Sequence, residues 1–457
     1  MSLAIVLFED HTAQHFRPLS WSVPVHELPC GLFHLRERLG FLLAERDDAV
    51  GVLLPRGLLQ GVQDVQVPAG WTAGPDAARA ALQRVDRVLW LSSRLAGRGH
   101  ELTEVLARAA TDQDVHDDDG LLLRSGGAAE ALALLDAWRD WDAAADGDWV
   151  RPNRPVTPWR PEPRGDAGAP VRAWRRLWDR VPELGEAIAA DAARIKGKPY
   201  AREIFGVAPA PGTDPVWRRE TMLRPLAIAP QGVTVLGDAG VWTGVDVTLD
   251  PGVVLDARHG PIVLEREVTV KPHVVLAGPL ALAAGAMVKS FAAVGPEVVV
   301  GPVGRVAGEI AESQLLPFAN KQHAGFLGHA LVGSWTNLGA DTTNSDLKNN
   351  YGLIKVNAGL GPEETGTRFL GLMMGEHAKS AIGTTFNTAT TVGFAANVFA
   401  AGFPRACIGN FSWGDGRGKR FEVERALETA AIVMGRRGAV CTPAHADLFR
   451  RLHGEGA

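Results

Sequence analysis

The chain has 457 residues, enough for more than one hydrophobic core, so two or more domains are expected. Apolar residues make up 46% and charged residues 22%, which excludes a disordered or fibrous chain. A net charge of −5 argues against a nucleic-acid partner or an anionic membrane surface. Cys30, Cys407 and Cys441 lie far apart without metal-ligand spacing, so a reducing cytoplasm is the expected location. The apolar start, residues 2–8, runs into Glu9 and Asp10; it lacks the basic flank and the length of a signal peptide. No apolar run reaches membrane-spanning length.

Residues 3–8 read as a buried strand, and residues 50–54 and 87–91 as two more. Residues 31–45 carry Leu32, Leu35, Leu39 and Leu42 at helical steps, residues 112–119 read as an acidic loop, and residues 130–141 as a helix. This alternation predicts a small α/β layer structure. Residues 150–164 are rich in Pro and Arg, as in a linker. Val171, Trp174, Trp178, Val181, Leu184, Ile188, Ala192 and Ile195 then step by three and four, with Pro182 placed to break the run in two. Ten of the 13 tryptophans precede residue 220, so the two halves are built from different material.

From about residue 226 the beat changes. Val235, Val241, Val247 and Val253 recur every sixth position; after a short insertion Ile262, Val268, Val274, Leu280 and Ala286 resume it. Met374, Ser380, Phe386, Val392 and Val398 keep the same step. A period of six fits neither a helix face nor an alternating strand. It is the hexapeptide signature of a parallel β-helix, with about 18 residues closing one triangular coil. Residues 349–368 break the period and are expected to leave the coil as a loop. Residues 422–437 read as a helix closed by Gly438, placed to cap the open end of the prism.

Inside this region, residues 321–348 are too polar for a prism interior. The motifs His323-x-x-Phe-Leu-Gly, Asn337-Leu-Gly-Ala, Thr343-Asn-Ser and Met374-Gly-Glu-His lie in one frame. Over residues 226–405 the sequence resembles the acetyltransferase half of the bifunctional N-acetylglucosamine-1-phosphate uridylyltransferase/glucosamine-1-phosphate acetyltransferase family and its archaeal relatives. The resemblance implies a left-handed parallel β-helix that forms a homotrimer, with active sites between neighbouring prisms and acetyl-CoA or another acyl-CoA as co-substrate. It puts His323 at the catalytic base, a role suited to an imidazole that titrates near neutral pH. Asn337 matches the acceptor-sugar site, and Asn344 and Lys348 the polar loop. Phe326 stands where the family has a tyrosine, and Asp341 where it has a glycine. Glu309 and Glu312 replace lysines that hold the sugar phosphate, so the acceptor need not be glucosamine 1-phosphate. Lys379 and Arg405, with Arg417, Lys419 and Arg420, are the cations available to a coenzyme A pyrophosphate. A zinc reading would need His323, His329 and His377 to converge; nothing local enforces that, and no metal is assigned.

The N-terminal segment resembles the nucleotidyltransferase half more weakly, as a shortened relative. The carrying residues are Arg17-Pro-Leu-Ser and Val25-His-Glu-Leu-Pro-Cys-Gly-Leu before a helix. In that family a glycine-rich loop cradles the nucleotide phosphates and ends in an arginine. Residues 9–16 contain no glycine and two acids, so Arg17 is the one phosphate ligand expected to persist, with Mg²⁺ and a nucleoside triphosphate as co-reactants if the domain is active. A domain that keeps the fold without the activity is the other reading.

The expected organisation is an α/β, Rossmann-like nucleotidyltransferase domain over residues 1–155, a linker and helical connector over 156–225, a left-handed parallel β-helix over 226–406, and a tail with a capping helix over 407–457. The expected function is acyl-CoA-dependent acylation of a sugar phosphate on the β-helix. The alternatives are sugar-1-phosphate nucleotidyl transfer with the β-helix as a trimerisation scaffold, or a non-catalytic sugar-phosphate-binding scaffold.

Overall fold

The computed structural model describes residues 2–98, 100–151, 154–163 and 170–454; part of the expected linker, residues 152–153 and 164–169, falls outside them. The N-terminal unit is an α/β layer. Strands β1 (Leu3–Phe8), β2 (Ala49–Leu54), β3 (Trp71–Ala73) and β4 (Arg87–Ser92) are parallel, and β5 (Gln113–Asp117) and β6 (Gly120–Gly127) close one edge in the order β3-β2-β1-β4-β6-β5. β1 is buried on both faces, which is why it reads as a continuous apolar run. The acidic loop expected at residues 112–119 is instead largely strand β5. Its carboxylates are met by guanidinium groups: Arg124 Nη2 donates to Asp114 Oδ2 (2.6 Å), and Arg94 holds Asp117.

Among the described residues its α-helices are α1 (Leu35–Leu43), α2 (Gly57–Gln63), α3 (Pro75–Leu82), α4 (His100–Ala107) and α5 (Ala128–Trp149). The connector divides at Pro182 as expected, into a 3₁₀ segment (Leu177–Glu183) and α6 (Leu184–Ile195).

The C-terminal half is a left-handed parallel β-helix of the hexapeptide-repeat type, with sheets of ten, six and nine short strands. Register advances 18 residues per coil from Ile262 to Leu280 to Val298. Ile262, Val268, Val274, Leu280 and Ala286 point into the prism without exposure, and so do their partners two residues on, Leu264, Val270, Leu276, Leu282 and Val288. The ten-stranded face, which includes Val241–Thr243 and Ile262–Leu264, is the docked face. Leu32, Phe33, Ile188 and Tyr200 pack on its Val263, Ala281 and Val299. Farther along, Phe16, Trp149 and Leu177 share a core with Leu331, Met373 and Phe394.

Residues 349–368 do leave the coil, and they form an antiparallel hairpin (Lys355–Asn357 with Pro362–Glu364). Its Glu363 accepts from Arg176 Nε of the connector (2.6 Å). The terminal helix expected as an end cap lies elsewhere. Helices α7 (Val423–Gly435) and α8 (Pro443–His453) run along one edge of the prism, drawn there by an aromatic column. Phe318 and Trp335 stack at 3.8 Å, and Phe449 of α8 packs edge-on against His377 and Phe394. Burying these rings outweighs covering the strand edges at the prism end.

Candidate functional site

Where strand order reverses between β1 and β4, an α/β sheet opens a crevice at its carboxyl end. Here the chain's own side chains fill it. Residues 11–16 wind into a 3₁₀ turn because Asp10 caps it, accepting from Thr12 N at 2.9 Å. Glu9 accepts from Val25 N (2.8 Å) and from Arg56 Nη1 (2.6 Å). Ser93 donates to Phe8 O (2.6 Å) and meets His26 Nδ1 at 2.9 Å; burial, with Arg36 and Arg56 nearby, takes that imidazole down to about 3. Arg17, expected at a phosphate, is buried. Its guanidinium lies 3.7 Å over the Trp21 ring, donates to Trp149 O (3.1 Å), and is lowered to about 9 by burial and by Arg56. Of the carboxylates at this end that could meet the Mg²⁺ expected with a nucleoside triphosphate, Asp10 keeps Oδ2 buried without a hydrogen-bond partner among the described residues. Glu9 and Asp117 are already paired with arginines, and no cluster of three His, Cys, Asp or Glu side chains fit for a metal occurs among the described residues.

On the prism, each of the three histidines of the zinc reading occupies a different edge, so they do not converge within one chain. His323 follows Asn320–Lys321 and precedes Phe326–Gly328; His329 leads from there onto the docked face; His377 leads off it. His323 is exposed on a bend. That bend is held from inside. Lys321 points into the prism in the column of Val306 and Leu338, where its Nζ donates to the carbonyls of His323 (2.5 Å) and Ala324 (2.6 Å). Burial lowers this ammonium to about 8. The His323 bend lines an open groove of about 500 Å³ with Lys289, Ser290, Phe291 and Gln322. Lys289 therefore supplies a cation that the acids at Glu309 and Glu312 do not.

Asn337 and Lys379 are neighbours on the same open face as Asn320, which donates to Asn337 Oδ1 at 2.5 Å. Lys379 Nζ donates to His377 O (2.9 Å), and burial takes it to about 8. Asn344 is buried and committed to the neighbouring coil: Gly328 N donates to its Oδ1 (3.1 Å), and its Nδ2 donates to Gly328 O (3.0 Å). Phe326 lies beside it, its N–H bonded to Thr343 Oγ1 (2.8 Å). Lys348 has left the coil and donates to Leu353 O (2.8 Å) in the loop. Arg405 is exposed near Asp415, away from Lys379. Asn337 and Lys379 thus stand side by side, one and two coils beyond the coil of His323, and among the described residues neither they nor Arg17, Lys348 and Arg405 line the His323 groove.

Two arrangements were not read from the sequence. His329 Nδ1 meets Asp346 Oδ2 at 2.8 Å and its ring stacks on Phe369, with Glu312 at 3.9 Å. A buried ionic cluster also fills the domain junction, around a cavity of about 70 Å³. Arg36 Nε donates to Glu27 Oε1 (2.5 Å), His34 Nε2 approaches Glu27 at 3.0 Å, and Arg202 bonds Glu265 together with Tyr200 (2.8 Å). Burial raises Glu37 and Glu376 there to about 7 each.

No curated protein matches the chain significantly. A family described as sugar nucleotidyl transferase matches residues 5–198, the span that holds the six-stranded sheet and the connector as far as α6. The chain therefore opens with a sugar-nucleotidyltransferase-like domain, joined to a hexapeptide β-helix.

Proposed function

We propose that this protein transfers an acyl group from an acyl-CoA to a sugar phosphate in the groove beside His323. The observation that carries this reading is the exposed imidazole on a braced bend, facing open space next to Lys289, Ser290 and Gln322. Acyl transfer needs a base for the acceptor proton and a slot for both substrates. His323 is the base, Lys289 meets the acceptor's phosphate, and Ser290 and Gln322 of the same groove offer hydrogen bonds to its hydroxyls. A homotrimer completes the site. Phe291 and Ile382, each more than three-quarters exposed, stand on the His323 edge and suit a second copy. The free thiols Cys30, Cys407 and Cys441 go with a cytoplasmic location, and no helix among the described residues is long and apolar enough to cross a membrane.

Thiol release from acetyl-CoA, followed over a panel of amino-sugar phosphates, tests the reading. His323→Ala should lower kcat about 10²–10⁴-fold; a rate that survives the substitution removes the proposal. Sedimentation should return three copies per particle, and a monomer at working concentration would leave the site without its partner wall.

A second reading rests on the family match at residues 5–198: sugar-1-phosphate nucleotidyl transfer by the N-terminal domain. The filled crevice and the buried Arg17 weigh against it. Pyrophosphate release with any nucleoside triphosphate and sugar 1-phosphate, lost in Arg17→Ala, would establish it.

A further inference from the structure

A second concavity, of about 530 Å³, lies where the N-terminal domain meets the last coils of the docked face. Its volume falls in the roughly 300–1,000 Å³ range of small-molecule sites. Pro18, Trp21 and Arg151 form one wall, Thr391 and Cys407 the other, and Arg420 closes it beside the end of α8.

The lining is one-signed. Among the described residues none of those that line the cleft is an Asp or Glu. Arg420 is exposed and makes no ion pair among the described residues; Arg151 is exposed and touches Asp148 at 3.5 Å. Trp21 carries the Arg17 guanidinium 3.7 Å from its ring, and Arg17 Nη1 is buried without a hydrogen-bond partner among the described residues. Asn410 uses its Oδ1 to accept from Phe394 N (2.8 Å), which leaves its NH₂ group as a donor. One term opposes an anion: the carbonyl end of α8 faces the cleft, although Arg450, Arg451 and His453 crowd that last turn.

We propose that this cleft binds a phosphate-bearing ring compound, the chemical class shared by nucleotides and sugar phosphates. Arg151 and Arg420 hold the phosphate, and the ring packs against Trp21. The cleft lies on a different face from the His323 groove, so the proposal stands whether or not acyl transfer occurs there.

Titration calorimetry on the full chain, with pyrophosphate, UTP, glucosamine 1-phosphate and acetyl-CoA as separate probes, tests it. At least one ring compound should bind saturably, more weakly as salt rises, and at least tenfold more weakly to Arg420→Glu and to Arg151→Glu. The same compound should slow alkylation of Cys407 by iodoacetamide, read by mass spectrometry, and leave Cys441 unaffected. UTP or acetyl-CoA ahead of the sugar phosphate would identify a nucleotide as the source; the reverse order would identify a sugar phosphate. The proposal is overturned by no saturable binding of any probe, by undiminished binding to both variants, by binding without protection of Cys407, or by pyrophosphate binding as tightly as every ring compound.

Discussion

Glu376 reaches from the docked prism toward the N-terminal domain, and burial lifts its carboxyl from 4.5 to about 7, against the pull of Ser22 and Ser334. The folded protein therefore holds this proton more tightly than the unfolded chain. Its contribution to stability is complete below about pH 4.5 and is lost as pH rises to about 7. Glu376→Gln keeps the shape and removes the titration. Its melting temperature relative to wild type should be higher at pH 8 than at pH 5, by a few degrees for each kcal/mol of linkage; an equal difference at both pH values would contradict the assignment. The His329–Asp346 pair explains why such residues escape sequence reading. The partners are one coil apart, but coil length varies: Val299 to Gln314 spans 15 residues, Gln314 to Leu331 spans 17, and the next coil carries an inserted loop. A period of six predicts which residues face inward. It does not predict which outward residues stand side by side once the coils become unequal.

At the scale of elements, the aromatic column beneath α7 and α8 is the feature most open to test. Phe318, Trp335, His377 and Phe411 all take a left-handed backbone, with φ between 55° and 63°. That conformation costs about 1–3 kcal/mol at each non-glycine residue, and the stacked rings offset it. Trp335→Ala should destabilise the protein by about 3–5 kcal/mol. Trp335→Gly should do no worse, because glycine accepts φ of 61° at little cost. Chemical denaturation of both variants checks the order; a glycine variant clearly below the alanine variant would mean the backbone is not strained there. The helical step of residues 422–437 was legible. Its resting place was not, because the column that attracts it is assembled from four separate coils.

At the scale of the whole molecule, one apolar core contains residues of the N-terminal domain, the connector, the prism and both C-terminal helices. Buried polar latches add to it. Gln314 exchanges hydrogen bonds with the backbone of Gly31 (3.0 and 3.2 Å), and Arg38 clasps Asp191 (2.8 and 2.9 Å). Calorimetry should therefore show a single cooperative transition, and Asp191→Ala should lower it by about 3–5 kcal/mol by leaving a buried guanidinium unpaired. Two resolved transitions would mean that the shared core does not couple the domains.

The sixfold beat alone was enough to specify a triangular column, since only a coil of three short strands returns an apolar side chain inward at that interval. The alternation of strand and helix likewise specified the N-terminal layer. What lies at the surface needed the tertiary structure. Which prism face the first domain covers depends on shape matching between side chains hundreds of residues apart. The same packing buries Arg17 under Trp21, sends three histidines to three edges, and leaves His323 in the open.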